Sequence, residues 1–146
     1  MQTISSLRSA LDDRALVDAV FGDHPANDPA TAPVEAFTSH GCAVLALALR
    51  NLTGRAVAVA WLGEEPLHAA LVVEGGYLDA DGTATPTMLR ARWAAIAGVP
   101  AEAVTLRPYD ADAARWYEPA MTPDQVAVLA RLLDVRVPSL IRALQG

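Results

Sequence analysis

Residues 67–81 read Leu-His-Ala-Ala-Leu-Val-Val-Glu-Gly-Gly-Tyr-Leu-Asp-Ala-Asp. Two apolar, strand-forming runs, Leu67–Val73 and Gly76–Ala80, flank the turn residues Glu74-Gly75-Gly76. That pattern predicts a β-hairpin. A turn spanning Val73–Gly76 sets Val72 opposite Tyr77 and His68 opposite Asp81. A slip of one residue still leaves His68 within one step of Asp81. Side chains alternate between the faces of a strand, so Asp79 and Asp81 share a face. A hairpin of this length therefore brings one carboxylate near His68. Asp81-Gly82 is ordinary turn chemistry. Asp79 stands between Leu78 and Ala80, where aspartate is a poor strand former, and asks for another reason.

Upstream of the hairpin, residues 41–53 (GCAVLALALRNLT) are apolar on nearly every side until Arg50. This predicts a helix buried all round, with Ser39 as N-cap and Gly54 as its stop. Arg55–Leu62 alternates Val57, Val59 and Trp61 with alanines and reads as a strand. Residues 6–21 form an amphipathic first helix ending at Gly22, and 22–36 form a Pro- and Asp-rich loop. Downstream, Thr85-Pro86 opens a helix that Gly98 ends. Val104–Arg107 is a short strand. Thr122-Pro123-Asp124-Gln125 is a capping-box start for a helix to Leu133, and Pro138 opens a terminal helix. Helices flanking a tight hairpin predict an α+β fold with a small, mostly antiparallel sheet.

The chain has 146 residues, enough for one domain over 1–146 with a core that needs no staples. Apolar residues make up 53% and charged residues 19%, which excludes a largely disordered chain. The one cysteine, Cys42, excludes an intrachain disulfide framework. A formal charge of −6 disfavours nucleic acid and anionic membrane surfaces as partners. All 11 basic residues are arginine, which excludes lysine Schiff-base chemistry and a P-loop lysine. The lysine-free, alanine-rich composition suggests a bacterial or phage genome. The N-terminus carries acids where a signal peptide needs a continuous apolar stretch, and the longest apolar runs are too short to span a bilayer. The expectation is a cytoplasmic protein.

Cys42 falls in the first turn of its helix, where unpaired N–H groups and the helix dipole stabilise a thiolate. The alternative reading is a small buried hydrophobe. His68 sits on a strand, which holds a base rigidly; alone, it also reads as a structural histidine. A carboxylate beside it would fix the tautomer and stabilise the imidazolium.

Gly41-Cys42 at the N-terminus of a hydrophobic helix, a later strand opening with His68, and Tyr77-Leu78-Asp79-Ala80 after a glycine turn resemble the papain-like cysteine peptidase and amidase superfamily. The resemblance covers residues 38–82 and is greatest to its compact bacterial and phage branches, including cell-wall amidase-like and transglutaminase-like domains. It implies a nucleophile helix packed on an antiparallel sheet, with Cys42 as nucleophile, His68 as base and Asp79 as orienting acid. Asp81 is the alternative acid. No glutamine stands between Pro25 and His40 to serve as a papain-style oxyanion donor, so Ser39 and His40 are the candidates for that support. The implied activity is acyl transfer through a thioester on a peptide or amide substrate.

No metal-ligand spacing such as Cys-x-x-Cys or His-Glu-x-x-His exists, and no glycine-rich phosphate loop. Neither a metal nor a cofactor is expected. Trp61, Trp93 and Trp116 read as core. Trp116-Tyr117 follows Tyr109-Asp110-Ala111-Asp112, a polar and aromatic loop that reads as core or interface packing, with the lining of a substrate groove as the alternative. Arg90, Arg92 and Arg115 read as solvated. The rival function is a non-catalytic interaction module or small accessory protein on the same or another α+β scaffold.

Overall fold

The computed structural model describes residues 4–38 and 41–146. Five strands form one sheet: β1 (Val57–Leu62), β2 (Glu65–Val73), β3 (Gly76–Asp79), β4 (Gly82–Ala84) and β5 (Val104–Pro108). Their order is β4-β3-β2-β1-β5, and every neighbouring pair is antiparallel. The β2–β3 hairpin closes in the expected register, with Val73 opposite Gly76, Val72 opposite Tyr77 and Leu71 opposite Leu78. Gly75 supplies the positive φ of +79° that this tight turn requires. Strand β4 is an addition to the sequence expectation: after the turn at Ala80-Asp81 the chain pairs back on β3, Asp79 facing Gly82.

Seven α-helices are present among the described residues: α1 (Ile4–Leu11), α2 (Arg14–Phe21), α3 (Cys42–Thr53), α4 (Pro86–Ala97), α5 (Ala111–Tyr117), α6 (Pro123–Arg136) and α7 (Pro138–Gln145). The fold is α+β with an antiparallel sheet. Three local expectations change. The single helix over 6–21 is two helices, because Asp13 leaves the helical conformation and caps α2, its carboxylate accepting from the Ala15 N–H. The loop around Tyr109 becomes α5, capped by Asp110, whose carboxylate accepts from the Ala113 N–H at 3.0 Å. Helix α6 runs past Leu133 to Arg136 and stops only where Pro138 approaches. The capping box is formed, Thr122 and Gln125 each accepting from the other's backbone N–H.

The sheet separates two apolar layers. Val57, Val59 and Trp61 face one way and share a core with α2, α3, α6 and α7. Ala60 faces the other way, toward Ala94 of α4 and Val104 of β5. Alternation along β1 thus assigns α3 and α4 to opposite faces. Helix α3 is buried from Cys42 to Leu49, as an all-round apolar sequence requires.

The start of α3 is fixed by a close approach rather than by a side-chain cap. Its N-cap is Gly41, not Ser39, which lies outside the described residues. The Gly41 N–H donates to the Ala36 carbonyl at 2.8 Å. A Cβ on Gly41 would sit 2.3 Å from that carbonyl oxygen and 2.6 Å from Phe21 Cζ. Gly41→Ala should therefore cost about 1–3 kcal/mol in urea unfolding, the usual penalty of overpacking. An unchanged midpoint would show that Gly41 does not anchor the helix.

Candidate active site

Cys42 is the first residue of α3 and is 2% exposed. His68 lies on β2, opposite Ala60 on β1. The register shifts immediately before it: Trp61 faces Pro66 while Ala60 faces His68, which leaves Leu67 as the extra residue. Such bulges re-aim side chains beside functional sites. Asp79 ends β3. In the extended hairpin register it is a diagonal neighbour of His68, within reach of a long side chain on the same face.

The structure joins His68 and Asp79 directly. His68 Nε2 is 2.7 Å from Asp79 Oδ2, and the two residues are 2% and 5% exposed. The carboxylate is held from its other sides. Asp79 Oδ1 accepts from the Asp81 N–H at 2.9 Å, and Arg92 Nη1 lies 3.7 Å from Oδ2. Arg92 is therefore partly engaged at the site rather than solvated. The imidazole stacks on Trp93 of α4, ring centroids 4.5 Å apart and 20° between planes. An indole face suits an imidazolium. Trp93 and Arg92 are neighbours in α4, so one helix braces both the imidazole and its carboxylate.

With Nε2 engaged by Asp79, Nδ1 is the nitrogen left for the thiol. Nδ1 is buried and has no regular hydrogen-bond partner among the described residues. The Cys42 thiol interacts with the imidazole, with the Ala69 backbone N–H and with the Tyr117 hydroxyl. The thiol comes from α3 in one layer and Trp93 and Arg92 from α4 in the other, so the site straddles the seam between them.

Electrostatics follow from this packing. Burial pushes the Cys42 thiol up, but the adjacent imidazolium and the Ala69 N–H outweigh it and hold the thiol below its ordinary value. Burial pulls His68 down; the Asp79 bond and the neighbouring thiolate outweigh that and raise it to about 9. Burial likewise raises Asp79, while His68, the Asp81 N–H and Arg92 bring it below the ordinary carboxylate range. These shifts all favour a thiolate–imidazolium pair backed by a carboxylate.

A cavity of about 380 Å³ opens beside the thiol, lined among others by Cys42, Glu65, Leu67, Trp116, Tyr117 and Met121. That volume falls in the range of small-ligand pockets. Trp116 is 53% exposed, not core. It also borders a cavity of about 450 Å³ with Trp61, Glu64, Arg107, Asp112 and Arg115, which the Cys42 thiol does not line.

The remaining expected site residues lie elsewhere. Asp81 is exposed and pairs with Arg8 at 2.9 Å instead of His68. Ser39 and His40 lie outside the described residues. From sequence Trp93 reads as core and Arg92 as solvated, and Tyr117 stands only beside a loop that is an alternative groove lining. Tyr117 stood in a stretch without apolar periodicity, and the α4 pair becomes legible only when that helix crosses the sheet.

His68 should titrate near pH 9 by NMR of its ring protons. Asp79 stabilises the charged form, so Asp79→Asn should move that titration down toward the ordinary histidine value of about 6.5. An unmoved titration would show that the carboxylate does not set the charge of the imidazole. Comparison of the chain with protein-family models, with curated proteins and with solved structures gives no match.

Proposed function

We propose that this protein is a thiol-dependent acyl-transfer enzyme acting on a peptide or amide through Cys42, His68 and Asp79. The observation that carries the reading is the buried His68–Asp79 hydrogen bond set beside the chain's one thiol at the start of a helix. The order of these residues, and a nucleophile helix against an antiparallel sheet, support a papain-like domain. Fixed in tautomer by Asp79, His68 takes the thiol proton. The Cys42 thiolate attacks the carbonyl carbon, and the C=O electron pair moves to oxygen. On collapse the C–N bond breaks, the leaving amine takes its proton from His68, and a thioester remains. Water or a second nucleophile, deprotonated by His68, resolves the thioester. Peptidase, amidase, deamidase and transglutaminase outcomes share these steps and differ in the acceptor.

One observation favours a second reading. At 2% exposure Cys42 is almost covered, as it would be in a non-catalytic interaction module on a papain-like or other α+β scaffold. The two readings separate on reactivity. For the enzyme, iodoacetamide should alkylate Cys42 faster than it alkylates glutathione, and the rate should fall off at a lower pH than glutathione's, because the thiol is held below its ordinary value. His68→Ala should slow the reaction at neutral pH by about tenfold or more. Cys42→Ala should fold and show no labelling. A native thiol no faster than glutathione would assign the chain to the interaction module.

A further inference from the structure

Tyr117 is the last residue of α5, far downstream of the other site residues. Its hydroxyl is buried and has no regular hydrogen-bond partner among the described residues. The Cys42 thiol and the Tyr109 hydroxyl both act on it electrostatically. Tyr117 and Cys42 line the same cavity. The ring is held from behind by Tyr109, with centroids 6.4 Å apart and planes 21° from parallel, and Arg50 lies 5.7 Å from the Tyr109 ring centroid. Desolvation and the neighbouring thiolate push the phenol well above its ordinary range, so it remains an O–H donor at every working pH. A buried donor without a fixed acceptor costs free energy in the resting protein. That cost has a function if an acceptor arrives during a reaction.

We propose that the Tyr117 hydroxyl is the oxyanion donor of this site. The inference rests on the acyl-transfer reading above and adds a catalytic residue to it. When the Cys42 thiolate adds to a substrate carbonyl, negative charge appears on oxygen next to the sulfur. An unpartnered hydroxyl lining the same cavity as the sulfur is a donor available to that oxygen. A glutamine donor, absent between Pro25 and His40, is then unnecessary.

The test compares two reactions of one thiol. With p-nitrophenyl acetate, Cys42 sulfur bonds to the acetyl carbon, an oxyanion forms, p-nitrophenolate leaves, and water later releases acetate. With iodoacetamide, sulfur displaces iodide directly at a saturated carbon and no oxyanion forms. In Tyr117→Phe, compared at the pH plateau of each reaction, acylation should fall about 100-fold while alkylation changes by less than about threefold. Alkylation in the same sample controls for folding. Equal loss in both reactions would reduce Tyr117 to a neighbour that tunes or shields the thiol, and unchanged acylation would also overturn the assignment. A native protein inert to both reagents would overturn the acyl-transfer reading itself, an outcome separable from failure at Tyr117.

Discussion

The bond between His68 and Asp79 is the constraint around which the rest is arranged. Both side chains are almost completely removed from water. A carboxylate so buried is tolerated only if it is paired and its remaining lone pairs are satisfied. The Asp81 N–H, the Arg92 guanidinium and the imidazole supply that satisfaction. Removing one partner of a buried pair typically costs about 3–5 kcal/mol, so the geometry is expensive to hold and to break. Its return is an imidazole whose orientation is fixed and whose charge survives burial.

The fold serves this arrangement from both sides of the sheet. Gly41 lets α3 begin hard against Ala36 and Phe21, which sets the position of Cys42. The bulge at Leu67 precedes His68 in β2. The tight hairpin at Glu74-Gly75 returns the chain so that Asp79 comes within bonding distance of His68. Helix α4 lays Trp93 on the imidazole and directs Arg92 toward the carboxylate. Helix α5 brings Tyr117 to the thiol from the C-terminal half.

Much of this was legible in the sequence because it is local. Strand alternation and the glycine turn give the β2–β3 register, and the register brings an aspartate to His68. The apolar run after Gly41 gives the buried helix and the position of Cys42 at its start. Choosing between Asp79 and Asp81 was also local, since aspartate inside a strand needs a partner and aspartate before glycine does not. Other features depend on packing between distant segments. Asp13 breaks the first helix because its carboxylate outcompetes continuation, although the apolar stripe runs on. Helix α5 owes its start to the Asp110 cap rather than to periodicity. The roles of Arg92, Trp93 and Tyr117 exist only once their helices are docked.

The central claim is that burial here stabilises a charged pair instead of a neutral thiol and imidazole. Ultraviolet absorbance near 240 nm reads the thiolate directly, and with one cysteine in the chain the difference between the native protein and Cys42→Ser isolates it. The account predicts thiolate absorbance that persists below the pH at which an ordinary thiol protonates. A difference spectrum that stays flat through neutrality and rises only near the pH of about 8.5 at which an ordinary thiol ionises would contradict it.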